Sequence, residues 1–240
     1  MIDATLWNET RVLAACVDTY GYWIKEHGVS FADFCFQAAD LINAGRIELQ
    51  RTGGSTILDE ERSALAWHAA QPENGFTHLF MYDADMTVSL EHIQALVKRK
   101  VDVVSGTYFM RAHRAFLQDG TLSKAEQFPC VACRDGKYIT RAEIEASDKL
   151  IEVHSVGCGC LLVTSEALRK IGNPAFKFDW HVAGNHRYRH GEDEWFSKRA
   201  KDAGYTVWMD PAVIPDHYAT VRVGLEVSDF NGYAFFKPNY

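Results

Sequence analysis

From residue 11 to residue 105 the sequence alternates short apolar runs with longer stretches of helical spacing, and this alternation restricts the fold more than any other feature. Residues 11–17 (RVLAACV), 46–50, 78–82 and 101–105 read as short strands. After the first, Ser30 with Asp33 three residues on makes a capping pattern. Phe31, Phe34, Cys35, Ala38, Leu41 and Ile42 then recur at helical spacing up to Gly45. Asp59, Glu60 and Glu61 open a second helix running to about Ala70, with Leu58, Leu65 and Ala66 turned inward. Ser89 caps a third, with Leu90, Ile93, Leu96 and Val97 on one face. Strands and helices that alternate through short connections predict an α/β fold, a mostly parallel central sheet flanked by helices.

The chain of 240 residues suits one large domain, and 47% hydrophobic with 24% charged residues is ordinary for a globular protein. Its net charge of −7 argues against holding a polyanion by bulk electrostatics. The N-terminus lacks a basic stretch followed by an apolar one, and no apolar run reaches membrane-spanning length. A cytoplasmic protein is expected, in which the six cysteines are reduced thiols.

The third strand ends in a pair of acids, Asp83-Ala84-Asp85. In extended chain residues i and i+2 point the same way, so both carboxylates can face one point. Open α/β sheets bind ligands just beyond the carboxyl ends of their strands. Two hard oxygen donors there suit Mg2+ or Mn2+ carrying a diphosphate.

The second half is less regular. Residues 111–147 are polar without a sustained period and read as an excursion carrying a hairpin or short helices. Residues 151–153 and 160–163 read as strands around the turn Gly157-Cys158-Gly159, and Ser165 caps a short helix ending before Gly172. Residues 173–190 form a long link rich in aromatic, His and Arg residues. A helix starts at Glu192-Asp193 and stops at Gly204, residues 205–209 make a final strand, and Asp216-His217 follows.

The stretches THLFMYDADM, VVSGTYFMR, VGCGCLLV and GEDEWFSKRAKDAGYTVWMDPAVIPDH, in this order and after RVLAACVDTYG, resemble the GT-A glycosyltransferases, in particular small family-2-like enzymes of phages and bacteria. The resemblance spans most of residues 11–217. It departs at Ser63, where such sequences often carry Asn, and at Asp18, where many have proline. It implies a GT-A, Rossmann-like domain with a nucleotide-sugar-binding half (about 11–110), an acceptor and catalytic half (about 111–220) and a C-terminal tail (221–240). The implied activity is metal-dependent transfer of a sugar from a nucleotide-diphosphate donor, UDP being the family default. An inverting course is favoured, and a phage-encoded enzyme would act in the host cytoplasm.

On this resemblance Asp85 binds Mn2+ or Mg2+, Asp83 binds the donor ribose or a metal-bound water, and His217 completes the shell. Imidazole suits Mn2+ better than Mg2+. Asp193 is the candidate general base, with Glu192 as its alternate. Val17, Asp18, Thr19, Tyr20, Arg62 and Ala84 are the expected donor contacts. Acceptor contacts are expected from Gly157, Cys158, Gly159, Trp180 and His181. The acceptor stays open among a glycan or lipid-linked sugar, a protein side chain and a hydroxymethylated base in phage DNA.

Cys130 and Cys133 with Cys158 and Cys160 could also supply four thiolates to a structural zinc, although the glycine turn only asks for small residues there. The run from His186 to His190, with Arg111, His113 and Arg114, is basic and interleaved with an aromatic, which suits donor phosphates or a nucleic-acid acceptor. Two other classes compete with the transferase. A sugar nucleotidyltransferase normally has a glycine-rich, basic loop after the first strand, which residues 18–21 are not. A non-catalytic nucleotide- or sugar-binding module would more readily have lost Asp193 or the paired aspartates.

Overall fold

A computed structural model describes residues 3–18, 24–52, 57–109, 132–183 and 186–218, the side chains of 181–183 and 186–188 excepted. Thr19, Tyr20, Cys130, Arg111, His113, Arg114 and the tail expected at 221–240 lie outside these. In chain order the elements are β1 (Val12–Val17), α1 (Lys25–Gln37), α2 (Ala39–Asn43), β2 (Ile47–Arg51), α3 (Leu58–Ala70), β3 (His78–Asp83), α4 (Leu90–Lys98) and β4 (Val103–Gly106). They continue as β5 (Ala132–Arg134), β6 (Lys137–Tyr138), α5 (Arg141–Glu145), β7 (Ile151–Glu152), β8 (Ser155–Val156), β9 (Cys160–Thr164) and α6 (Ser165–Ile171). The last are β10 (Asp179–Ala183), β11 (His186–His190), α7 (Glu192–Asp202) and β12 (Trp208–Asp210).

Among the described residues the central sheet has seven strands in the order β2-β1-β3-β9-β4-β12-β7. β1 is parallel to β2 and β3, and β12 is parallel to β4. β9 lies between β3 and β4 and is antiparallel to both, and β7 closes the edge antiparallel to β12. The mostly parallel sheet is therefore as expected, with β9 reversed at its centre. Every residue of β1 is buried, because helices cover both faces.

The two-residue period of the strands divides the core. Leu13, Ala15, Leu79 and Met81 pack with Leu65, Ala69, Leu168 and Phe196 from α3, α6 and α7. Val12, Ala14, Phe80 and Tyr82 pack with Phe34, Ile93 and Leu96 from α1 and α4. On the first face the Phe176 and Phe196 rings stack with centroids 4.6 Å apart.

Several boundaries differ from the sequence expectation. α1 begins at Lys25 and breaks at Ala38, so Ser30 is inside the helix and caps nothing. Its hydroxyl instead bonds the His27 carbonyl and accepts from the Val88 amide. The cap of α6 is Thr164, whose side chain accepts from the Ala167 amide, one residue before the expected Ser165. The link at 173–190 contains a hairpin, β10 paired antiparallel with β11. The described part of the excursion holds a small sheet of β6, β5 and β8, with α5 capped by a Thr140–Glu143 box.

A half-buried ion pair ties β12, beside the edge strand β7, to the residue that ends α4. Asp210 is fully buried and accepts from Arg99 Nε at 2.7 Å and Nη2 at 2.8 Å, and from the Ala212 amide at 3.0 Å. Replacing Asp210 with Ala orphans these donors. Arg99 reaches solvent in part, which limits the expected loss to about 2 kcal/mol in urea unfolding. Among the described residues, no helix is long and apolar enough to cross a membrane.

Candidate active site

The site gathers beyond the carboxyl ends of β1, β3 and β4, at the start of α7. β3 ends at Asp83, and the chain turns at once: the Met86 amide bonds the Asp83 carbonyl at 3.0 Å. Past this turn the two carboxylates, expected to face one point, take different partners. Asp83 accepts from Arg62 Nη2 at 2.7 Å, whereas Asp85 Oδ1 lies 3.5 Å from His217 Nε2. Between them, Ala84 is buried, its amide bonded to the Val17 carbonyl at the end of β1.

Arg62 is the hub of the acidic side. Only 3% of its side chain is exposed, and its Nε lies 3.7 Å from Glu192 Oε1. Burial works against its charge, but Asp83 foremost and also Glu192 outweigh it, and its pKa moves up. Among the described residues, its Nε and Nη1 have no hydrogen-bond partner. Burial also raises the Glu192 carboxyl, to about 7, against the opposing pull of Arg62. Asp193 is raised too, again chiefly by burial.

The Asp193 carboxylate accepts from the Glu194 amide at 2.8 Å, folding back over the helix start. A β-carbon on Gly191 would collide with Asp193 Oδ1, so glycine is what permits this fold-back.

The glycine turn joins the two acidic groups. A β-carbon on Gly159 would meet Asp83 Oδ2 at 2.8 Å and the Tyr108 hydroxyl at 2.9 Å. The Gly159 amide donates to that hydroxyl at 2.7 Å, the Gly157 carbonyl accepts from Ser105 Oγ at 3.3 Å, and Cys158 is buried beneath. Tyr108 meets the His217 ring edge-on, with centroids 5.5 Å apart. Contacts thus run without a break from Glu192 through Arg62, Asp83, Gly159, Tyr108 and His217 to Asp85.

At the other end of this line, His217 Nδ1 lies 2.8 Å from the Phe109 carbonyl. A carbonyl only accepts, so Nδ1 carries the proton and Nε2 faces the Asp85 carboxylate. Protonated at both nitrogens the ring pairs with Asp85; neutral, it offers one nitrogen beside one carboxylate, with the outward bond that metal-binding histidines make. A carboxylate oxygen and an imidazole nitrogen are donors of the kind that suits a divalent cation such as Mn2+. Among the described residues no group of three His, Cys, Asp or Glu side chains is gathered as for a metal, which holds for Cys133, Cys158 and Cys160 as well.

The expected base-binding end is only partly described. Asp18 is fully buried, its carboxylate accepts from Arg51 at the end of β2, and its amide donates to Thr52 Oγ1 at 2.8 Å. Trp180 is 53% exposed on β10, opposite Arg189, and His181 is described in its backbone alone.

Sequence reasoning missed Tyr108, Arg51 and His27. Tyr108 lies just past the end of β4 and Arg51 is the last residue of β2, and the rule that selected Asp83 would have selected them had it been applied to every strand.

No family model matches the chain, and no curated protein matches it. Among solved structures, A197 from STIV aligns over 88% of this chain and 87% of its own, with a TM-score of 0.53 and 17% identity. The two share a fold. The structure of GalNAc-T7 with UDP, GalNAc and Mn2+ aligns over 88% of this chain and 44% of its own at a TM-score of 0.46 and 13% identity, and no argument rests on it.

Proposed function

We propose that the protein is a metal-dependent glycosyltransferase that moves a sugar from a nucleotide-diphosphate donor, a UDP-sugar by preference, to an acceptor hydroxyl in the cytoplasm. The observation that carries the reading is the unbroken line of contacts from Glu192 to Asp85. It sets the acid pair of buried Glu192 and half-buried Asp193, a buried guanidinium and a carboxylate–imidazole pair around one glycine turn.

Asp85 and His217 would hold Mn2+ or Mg2+, which supplies Lewis-acid stabilisation of charge on the departing nucleotide. Asp83, kept in place by Arg62, would accept from a hydroxyl of the donor. Arg62 Nη1, which has no hydrogen-bond partner among the described residues, would donate to its sugar or phosphate oxygens. Val17, Asp18, Thr19, Tyr20 and Ala84 would line the nucleoside. Asp193, raised towards neutrality by burial, takes the proton of the acceptor hydroxyl; that oxygen attacks the anomeric carbon as the bond to the diphosphate breaks. This is an inverting displacement. Gly157, Cys158 and Gly159 would line the acceptor side, and Trp180 and His181 would form its outer wall. A glycan and a hydroxymethylated base of phage DNA are both acceptors of the required kind, each presenting a primary or secondary hydroxyl.

Thermal unfolding in the presence of nucleoside diphosphates, each with and without Mn2+, tests the donor half. A ligand that binds only the folded chain raises the melting temperature by mass action. One diphosphate should stabilise only with metal, and Asp85→Ala should abolish that shift while leaving the unliganded melting temperature near wild type. No stabilisation by any diphosphate under any metal condition would overturn the transferase reading.

A further inference from the structure

Behind the metal side, α1 holds the Asp85 turn through a histidine that the proposed chemistry does not use. His27 is fully buried, and its Nδ1 lies 2.7 Å from the Met86 carbonyl. The carbonyl can only accept, so the ring donates. His27 Nε2 faces Cys16 Sγ at 3.7 Å, and the ring stacks on Tyr82 with centroids 5.8 Å apart and on Phe31 at 6.3 Å. One helical turn on, Ser30 Oγ accepts from the Val88 amide at 3.2 Å and donates to the His27 carbonyl at 3.0 Å. Two neighbouring side chains of α1 thereby grip the backbone on both sides of Thr87.

Met86 is the node of this arrangement. It is fully buried, it directly follows Asp85, and it forms the β-bridge with His217. The Tyr218 amide bonds the Asp85 carbonyl at 2.9 Å, and Thr87 and Asp216 exchange further bonds, which zip the two segments together. Both expected metal donors therefore hang from a backbone whose remaining carbonyl is fixed by His27.

We infer that His27 is a positioning residue for the metal side of the site, acting through the Met86 carbonyl to hold Asp85 and His217 at the separation a divalent cation requires. The inference rests on the proposed reading of Asp85 and His217 as its ligands. Because α1 also begins just after the segment expected to meet the nucleoside, the same helix links the base end of the donor site to its diphosphate end.

The test is calorimetric titration of the whole chain with UDP and Mn2+, together with melting of the unliganded protein. His27→Phe keeps a ring between Tyr82 and Phe31 and removes the donor. His27→Asn places an amide N–H near the position of Nδ1 and restores it. Partners one step outside a metal site typically contribute 10–100-fold to metal affinity. Metal-dependent UDP binding should weaken by roughly 10-fold or more in His27→Phe and recover most of that in His27→Asn.

Unchanged affinity in His27→Phe, with only a lower melting temperature, would reduce His27 to a core residue and overturn the inference. Equal weakening in both variants would overturn the role of the N–H. If His27→Phe does not fold, Ser30→Ala removes the second grip from a less buried position. It should weaken metal-dependent binding in the same direction by a smaller factor, and unaltered binding there counts against the inference. A wild-type protein that binds no nucleoside diphosphate with any metal removes the transferase reading itself, a result distinct from all of these.

Discussion

Asp193→Asn is expected to lower turnover by about 10²- to 10⁴-fold, the usual contribution of a general base, while leaving metal-dependent diphosphate binding intact. Asparagine keeps the oxygen that accepts from the Glu194 amide, so the start of α7 should hold its shape. The loss should therefore appear in kcat and not in donor affinity.

Glu192 gives the experiment its contrast. Burial raises its pKa to about 7, and its carboxylate faces Arg62 and not the open side of the turn. The acid limb of the pH–rate profile should carry an inflection near that value, activity falling as pH drops and the acid pair takes up protons. Adjacent carboxylates titrate as a pair, so the limb belongs to both. Glu192→Gln should remove the inflection near 7 and retain turnover, whereas Asp193→Asn should lose turnover at every pH. The opposite pattern, an active Asp193→Asn beside an inactive Glu192→Gln, would move the base to Glu192.

The alternation of β and α in residues 11–105 was enough to read the parallel part of the sheet, because strands buried on both faces are continuous apolar runs and their helices carry a separate period. The reversed β9 was not readable. Residues 160–163 are apolar on both faces whichever way the strand runs, and its direction is decided by where the excursion returns the chain. The same limit applied to the paired aspartates. Their spacing identified the end of a strand, but the turn that sends Asp83 to Arg62 and Asp85 to His217 depends on a bond from the Met86 amide to the Asp83 carbonyl.

Pairings across long sequence gaps were beyond sequence reading altogether. Arg62 reaches Glu192 from α3, and Tyr108 joins the Gly159 amide to His217. Ser30 shows a local signal overruled by a distant one. Its capping pattern is sound chemistry, but the Val88 amide takes the hydroxyl as its partner, and α1 starts five residues earlier.

Arg62→Met should destabilise the protein by roughly 3–5 kcal/mol, the range for breaking a buried ion pair on one side. Methionine fills much of the same volume, so the loss would report charge and not a cavity. The size of the effect should depend on pH in a direction the site dictates. Glu192 titrates at about 7 in the folded chain against an ordinary value of 4.5. Across that window the folded chain holds a proton that the unfolded chain has released, so this group makes stability decline as pH rises.

Without Arg62, burial acts on Glu192 unopposed. Its folded pKa moves higher, and the window over which stability falls extends upward. The deficit of Arg62→Met relative to wild type should accordingly be largest at about pH 8.5 and shrink towards about pH 5, where Glu192 is neutral in both proteins. Urea unfolding at the two pH values measures it.

The double variant Arg62→Met, Glu192→Gln separates the causes. If the uncompensated Glu192 carboxylate is what destabilises, the second substitution restores part of the loss at high pH and little at low pH, a coupling that neighbours in one network show and independent sites do not. A deficit that is the same at both pH values and additive in the double variant would mean that Arg62 stabilises through Asp83 and packing, with no part played by Glu192. The approach of Arg62 to Glu192 would then be a contact without electrostatic coupling.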